Sequence, residues 1–332
     1  MSNLHESYLS LKNWCDNNIG NHQSSTGELN HFHDIVMRYL FEVALNKVKE
    51  ESGPPPCQFS WFVMGSAGRF EQAVVSDQDH GLIYEATNKE ASNYFRELGK
   101  EITSGLHFIG YPYCDGNVMS SNPLWCKSKQ EWAVQLSQWM EDESFDSIRF
   151  LLIFYDARVL VGEEKCVSRL KQQLHEYIEK KPYFLNRLLV NTMHFKKAVG
   201  VFRQFLPETH GSHTGCIDLK HLGFFPFVNA IRLLSIKEHV EETSTLSRLG
   251  CLSGLPEYKK GLELYEGDFE KLLSHRLQHH QKVAEYYDDV HFLDVKKLGK
   301  TEKKEIKQIL MNGKKLQEYT ESIIKRTLKN EI

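Results

Sequence analysis

The chain is short of several things, and each shortage closes a class of function. Its seven cysteines never form a Cys-x-x-Cys pair, and an odd number cannot all be bridged. That argues against a zinc knuckle or a disulfide framework and fits a reducing compartment. No stretch approaches the roughly 18 apolar residues of a membrane span. The opening residues, MSNLHESYLS, lack a charged-then-apolar leader. We therefore expect a cytoplasmic protein with no membrane partner. Positive charge is not in excess either. The formal net charge is −3, which gives no field for a polyanion and excludes bulk nucleic acid as a partner.

What is present is concentrated between Phe59 and Glu85, which read FSWFVMGSAGRFEQAVVSDQDHGLIYE. An apolar run from Phe59 to Met64 meets Gly65-Ser66, a short amphipathic segment follows, and a second strand-like run opens with Asp77 and Asp79. Strand side chains alternate faces, so two aspartates two positions apart project to the same side. Paired carboxylates repel unless a cation lies between them, and hard oxygen donors suit magnesium or manganese. Gly65-Ser66 ends a strand and opens a helix, where free N–H groups favour a phosphate. Read singly, Gly-Ser is a turn and Asp-x-Asp a solvated strand start. Joined, they are the equipment of metal-assisted phosphoryl or nucleotidyl transfer.

Gly65-Ser66, Gly68-Arg69, Glu71-Gln72 and Ser76-Asp77-Gln78-Asp79 resemble the signature of the DNA polymerase beta-type nucleotidyltransferase superfamily. The fuller GSxGRxEQ…SDQDH form is closer to one bacterial branch, often fused to CBS and cyclic-nucleotide-binding domains. That branch is related to the uridylyltransferase of the nitrogen-regulatory P-II protein. The resemblance implies a nucleotide site of Gly65, Ser66, Gly68, Arg69, Glu71, Gln72 and Ser76, with Asp77 and Asp79 as catalytic metal ligands. It also implies a third carboxylate on a third strand. The apolar stretch Phe108 to Tyr113 is the expected strand, but it holds no acid, and Asp115 just beyond it is the nearest candidate. Asp115-Gly116 is equally a turn dipeptide. Gly116 to Trp125 (GNVMSSNPLW) resembles the branch's second motif, which could contact base or ribose or simply anchor a turn.

The expected fold is α+β: a small mixed-sheet nucleotidyltransferase core with N-terminal helices, followed by an all-α helical bundle. The boundaries read 1–56 for the N-terminal helices, 57–162 for the core and 163–332 for a helical domain, which the resemblance implies is substrate-binding. Helices are predicted over about 4–15 and 29–51, the latter stopped by Pro54-Pro55-Pro56. Another is expected over 88–106, and a buried one over 144–160 that carries Asp156 and Arg158 as a pair. Trp125, Trp132 and Trp139 recur every seven residues and predict a stripe on a helix packed against the sheet. His33-Asp34 reads as a pair on a helix surface. Beyond Glu163 no strand pattern persists, and helices are expected over about 163–179, 183–205, 219–240, 257–290 and 301–329. His275 and His279 are i, i+4, a spacing able to bind zinc. No HExxH glutamate lies between them, so a polar helix face or a base- or phosphate-contacting site is the preferred reading.

The function expected is metal-dependent transfer of a nucleoside monophosphate from an NTP to an acceptor, with release of pyrophosphate. The activity would be uridylyltransferase-like or adenylyltransferase-like, with ATP or UTP as donor and a protein or small molecule as acceptor. The alternative is a nucleotide-binding regulatory protein with a catalytically decayed core, which the missing third-strand acid favours.

Overall fold

The computed structural model describes residues 7–192, 199–200, 204–280 and 287–330. The chain divides into two compact units, residues 1–142 with 153–174 and residues 143–152 with 175–332.

The first unit opens with helices α1 (Tyr8–Asn18) and α2 (Thr26–Ser52). Each starts where a serine caps the free N–H groups: Ser7 accepts from Ser10 N, and Ser25 from Glu28 N. The second ends at Gly53, whose φ of 82° no residue ahead of three prolines could continue as helix. Strand β1 (Phe59–Val63), the single turn α3 (Gly65–Gly68), strand β2 (His80–Tyr84) and helix α4 (Lys89–Ile109) follow. Then come β3 (Cys126–Ser128), α5 (Lys129–Asp142), α6 (Phe145–Tyr155, counted with the second unit as far as Leu152), β4 (Arg158–Val161) and α7 (Lys165–Lys180, counted with the first unit as far as Leu174).

The four strands form one mixed sheet in the order β3-β2-β1-β4. β1 is antiparallel to both neighbours, with Phe59 opposite Tyr84 and Val63 opposite His80, while β3 runs parallel to β2. Leu11, Phe32, Val36, Leu40, Phe41 and Ala44 of the first two helices pack with Trp61, Leu82, Phe95, Leu98 and Ile102 in a single core. The α+β class expected from the sequence is therefore what the chain adopts, with α1 and α2 completing the core around the sheet.

Several local expectations need correction. Phe108 and Ile109 close α4 rather than open a strand, and the third strand lies at Cys126–Ser128. The buried stripe Leu98, Ile102, Leu106, Ile109 keeps helical spacing to the end. Only Gly110, at φ 112°, breaks it, and Tyr111 N closes the cap on Leu106 O at 2.9 Å. The predicted helix over 144–160 stops at Tyr155, because Val159 to Val161 pair with β1; branched side chains suit that pleated edge. Trp125 precedes α5 instead of riding on it, though its ring lies 5.9 Å from Trp132 and 5.8 Å from Trp139. His33 is buried, not on the surface.

The second unit contains α8 (Phe184–Thr192), β5 (Cys216–Asp218), α9 (Phe225–Lys237), α10 (Thr245–Ser253), α11 (Lys259–Leu262), α12 (Tyr265–His280), β6 (Phe292–Asp294) and α13 (Lys300–Asn330). Among its described residues the strands are the short antiparallel ribbon of β5 and β6, which the sequence did not announce. Its core joins Phe227, Ile231 and Leu234 with Phe269, Leu272, Ile306, Ile309 and Leu310. The predicted helix over 257–290 is broken between Leu262 and Tyr265. Parts of the predictions over 4–15, 183–205 and 257–290 fall at residues 4–6, 193–198, 201–203 and 281–286, outside the described residues. No described helix is long and apolar enough to cross a membrane.

Candidate active site

β1 runs buried from Ser60 to Met64 and stops where Gly65 turns the chain at φ 53°. The single turn of α3 is closed by Gly68 N on Met64 O at 2.8 Å and Arg69 N on Gly65 O at 3.2 Å. The N–H groups of Gly65, Ser66 and Ala67 stand at its start, where a helix supplies no acceptor. A turn this short builds little macrodipole, so those N–H groups are what an anion would meet. Both glycines are closely enclosed, Gly65 by a side chain and Gly68 by backbone. A Cβ on Gly65 would lie 2.0 Å from Asp79 Oδ2, and one on Gly68 would lie 2.1 Å from the Asp156 carbonyl oxygen.

The first of those contacts joins the turn to the acidic pair. Met64 N donates to Asp79 O at 2.8 Å, which brings the end of β1 alongside the start of β2. Along Asp77-Gln78-Asp79-His80 the burial alternates: both aspartates are half-buried, and Gln78 and His80 are wholly inside. The two carboxylates therefore share a face, as the spacing predicts, although both stand just before β2, which begins at His80, and not within it. Beneath them Gln78 Nε2 donates to the carbonyls of Tyr111 (3.1 Å) and Thr103 (3.3 Å). The His80 Nδ1 accepts from Trp61 Nε1 at 3.2 Å, leaving its Nε2–H for Gln78 Oε1 at 3.0 Å. Burial lowers the His80 pKa to about 3, so the ring is neutral.

The third member of the acidic face is Cys114. One ligand atom each of Asp77, Asp79 and Cys114 lie within 4.8 Å of one another. Burial, reinforced by the charge of Asp79 and a hydrogen bond to it, pushes the Cys114 thiol well above its ordinary range. A protonated thiol is a donor to Asp79 and a poor ligand for a hard cation, so the donor set that fits magnesium or manganese is the two carboxylates. No motif marks Cys114 in the sequence. It arrives because Gln78 N and His80 N bind the carbonyls of Pro112 (3.2 Å) and Val118 (3.0 Å), which pins its loop along the Asp77–His80 segment. Asp115 is exposed at the next position, in a turn closed by Asn117 N on Cys114 O at 2.9 Å.

The remaining residues of the motif brace the turn. Arg69 donates from Nε to Glu71 and from Nη1 to Asp156, both at 2.7 Å. Burial works against its charge, but the two carboxylates outweigh burial and raise its pKa. Asp156 and Arg158 do not pair with each other. Arg158 instead grips Asp34 through two bonds of 2.8 Å and donates to Ala67 O at 2.9 Å. Ser76 Oγ accepts from Ala73 N at 2.9 Å, closing the loop before Asp77. Gln72 is held by its backbone to Asn30, at 2.8 Å and 3.3 Å, while both polar atoms of its buried amide lack a partner. His33, on the far side of this loop, donates to Ala73 O at 2.9 Å and accepts from Tyr111 Oη at 2.7 Å; burial lowers its pKa to about 4. Of the second motif, Val118, Met119 and Trp125 are core residues. Asn122 knits the loop by donating to Asn117 O at 2.9 Å and accepting from Leu124 N at 3.0 Å.

Residues 15–146 match the family described as putative nucleotidyltransferase DUF294, and residues 182–324 match the putative nucleotidyltransferase substrate binding domain that carries the same family name. The first match contains the whole acidic face and its glycine turn. No curated protein matches the chain.

Proposed function

The chain belongs to a nucleotidyltransferase family, and from that premise we propose that its first unit moves a nucleoside monophosphate from an NTP to an acceptor, releasing pyrophosphate. The donor is ATP or UTP, and the acceptor is a protein side chain or a small molecule that the substrate-binding half recognises. Asp77 and Asp79 would hold a magnesium or manganese ion. Such an ion, when bound, neutralises phosphate charge and orients the reacting phosphate. The N–H groups of Gly65, Ser66 and Ala67 would take the phosphate oxygens, with the Ser66 hydroxyl beside them. Gly68 lets α3 lie against the backbone of Asp156. Arg69, held by two carboxylates, ties the turn to Asp156 between α6 and β4, so its contribution is to hold the N–H groups in place more than to meet phosphate itself. Glu71, Gln72 and Ser76 shape the loop that delivers Asp77.

The observation that carries this reading is the packing of the Asp79 carboxylate against Gly65 Cα. It supports reading the phosphate turn and the acid pair as one site, since an ordinary turn and an ordinary strand start would have no reason to meet. The uncharged thiol of Cys114 beside that pair favours a second reading, a nucleotide-binding regulator that has given up turnover. Calorimetry with each NTP and magnesium, followed by an assay for released pyrophosphate, separates the two. We expect magnesium-dependent binding that the Asp77→Asn, Asp79→Asn double variant loses by a hundredfold or more with its fold intact. Undiminished binding in that variant would falsify the site. Tight binding without pyrophosphate release, with protein and small-molecule acceptors alike, moves the conclusion to the regulator.

A further inference from the structure

The second unit holds a cluster of metal-ligating side chains of its own. α12 and α13 are antiparallel neighbours, joined by Phe269, Leu272, Ile306 and Ile309 in the core and by a ladder of polar contacts along one edge. Asn312 donates to Asp268 at 2.7 Å, and Glu305 accepts from Lys271 at 2.8 Å and from His275 Nε2 at 3.0 Å. At the last rung His279 Nε2 stands 3.3 Å from Glu302 Oε1. His275 and His279 lie one helical turn apart on α12, so both rings reach the same stretch of α13. One ligand atom each of His275, His279 and Glu302 lie within 4.8 Å of one another.

Two further features distinguish this from a solvated helix face. His275 is 93 % buried, with 7 % of its surface exposed, yet its Nδ1 has no hydrogen-bond partner. A buried ring nitrogen left without a partner costs free energy unless something satisfies it. The donors are also held from behind. His275 Nε2 bonds Glu305 Oε2 at 3.0 Å, and Gly299 N donates to Glu302 Oε2 at 2.7 Å while Oε1 is the oxygen beside His279. Carboxylate behind histidine is how metal-ligating imidazoles are commonly fixed in tautomer and orientation.

We propose that His275, His279 and Glu302 form a binding site for a borderline divalent transition ion of the zinc class. Imidazole and carboxylate donors suit such an ion, and three protein ligands leave one position for water. In a tetrahedral site with metal–ligand bonds of about 2.0 Å the ligand atoms sit roughly 3.3 Å apart. The ligand atoms therefore need to draw together by at most about 1.5 Å. The ion would clamp the start of α13 to the end of α12, and its removal would loosen that corner of the second unit.

Cobalt(II) is the probe, because a four-coordinate site gives it intense visible absorption. Untagged full-length protein carrying Asp77→Asn and Asp79→Asn is titrated, so that the acidic face of the first unit cannot contribute. We expect one cobalt ion per chain with that absorption, displaced by an equivalent of zinc, and a thermal midpoint raised by zinc. His279→Gln and Glu302→Gln, both at partly exposed positions that should fold, are each expected to weaken cobalt binding at least tenfold. Absence of the visible band, or a band that neither substitution changes, overturns the proposal; the latter would assign the ion to cysteines or other histidines.

Discussion

The four residues Asp77 to His80 have two faces that could hardly differ more. One carries two half-buried carboxylates beside a glycine and a thiol. The other carries a wholly buried glutamine and a neutral histidine whose polar atoms are matched to named partners. Charge is affordable on the first face because water or a cation can reach it. On the second, only neutral groups with satisfied hydrogen bonds are tolerated. The outer face can keep two like charges side by side because the inner one fixes the backbone they hang from. Chemistry and stability are thus divided between alternate residues of one short segment.

Breaking the outer face without touching its charges should have the largest effect. Gly65→Ala forces a Cβ to within 2.0 Å of Asp79 Oδ2 at a φ of 53°. The backbone conformation alone costs a non-glycine residue about 1–2 kcal/mol. The larger consequence is that Asp79 must swing away from the turn it abuts. We expect magnesium-dependent NTP affinity to fall about a hundredfold, near 2.7 kcal/mol, with the thermal midpoint lowered by only a few degrees. Calorimetry on the alanine variant checks it, and wild-type affinity would show that the turn and Asp79 are independent.

The inner face is tested by acid. His80 and His33 are buried neutral, with folded pKa values of about 3 and about 4. Unfolded, each titrates near 6.5, so between that value and the folded pKa the unfolded chain binds protons that the folded chain refuses. Stability is then fully present above about pH 6.5 and lost as pH falls. Each histidine contributes a slope approaching about 1.4 kcal/mol per pH unit. All five tryptophans belong to the first unit, so urea unfolding followed by their fluorescence between pH 7 and 5 reports on this face. His80→Gln should flatten the slope, and a wild-type curve independent of pH over that range would contradict the assignment of neutral rings.

The same division explains what could be read from the sequence. The outer face was legible because its logic is local: an apolar run, a glycine turn and two acids at alternate positions lie within twenty-one residues, Phe59 to Asp79. The core strands β1 and β2 and the amphipathic α4 were legible for the same reason, the strands as short runs buried throughout and the helix by a period repeated within its own length. Everything that depends on residues far apart was hidden. Asp34 meets Arg158 across 124 positions, and Asp156 meets Arg69 across 87. Neither pairing has a sequence spacing to betray it, and Asp156-x-Arg158 suggested the wrong partner by mere proximity. β3 and β4 were missed because three- and four-residue strands carry almost no alternation and exist only by pairing with β2 and β1. Cys114 was invisible because nothing in Tyr111-Pro112-Tyr113-Cys114 asks for chemistry. It joins the acids only after backbone bonds lay its loop beside them.

The smallest effect is expected at Asp115, the acid that sequence alone brings nearest to the third position. A carboxylate that removed the acceptor's proton would, when lost, lower turnover by about a hundredfold or more. Asp115 is exposed, however, inside the turn that Asn117 N closes on Cys114 O. Asparagine serves such a turn as well as aspartate, since either side chain can bond the local backbone. Asp115→Asn is therefore expected to change turnover and NTP affinity by less than twofold. Cys114→Ser, which keeps a donor toward Asp79 while removing sulfur, should stay within a few-fold as well. Steady-state kinetics on the two single variants settles which neighbour of the acid pair matters. A hundredfold loss in Asp115→Asn with NTP affinity unchanged would mean that the turn rearranges when substrate is bound and that Asp115, not the Asp77/Asp79 pair alone, completes the acidic face.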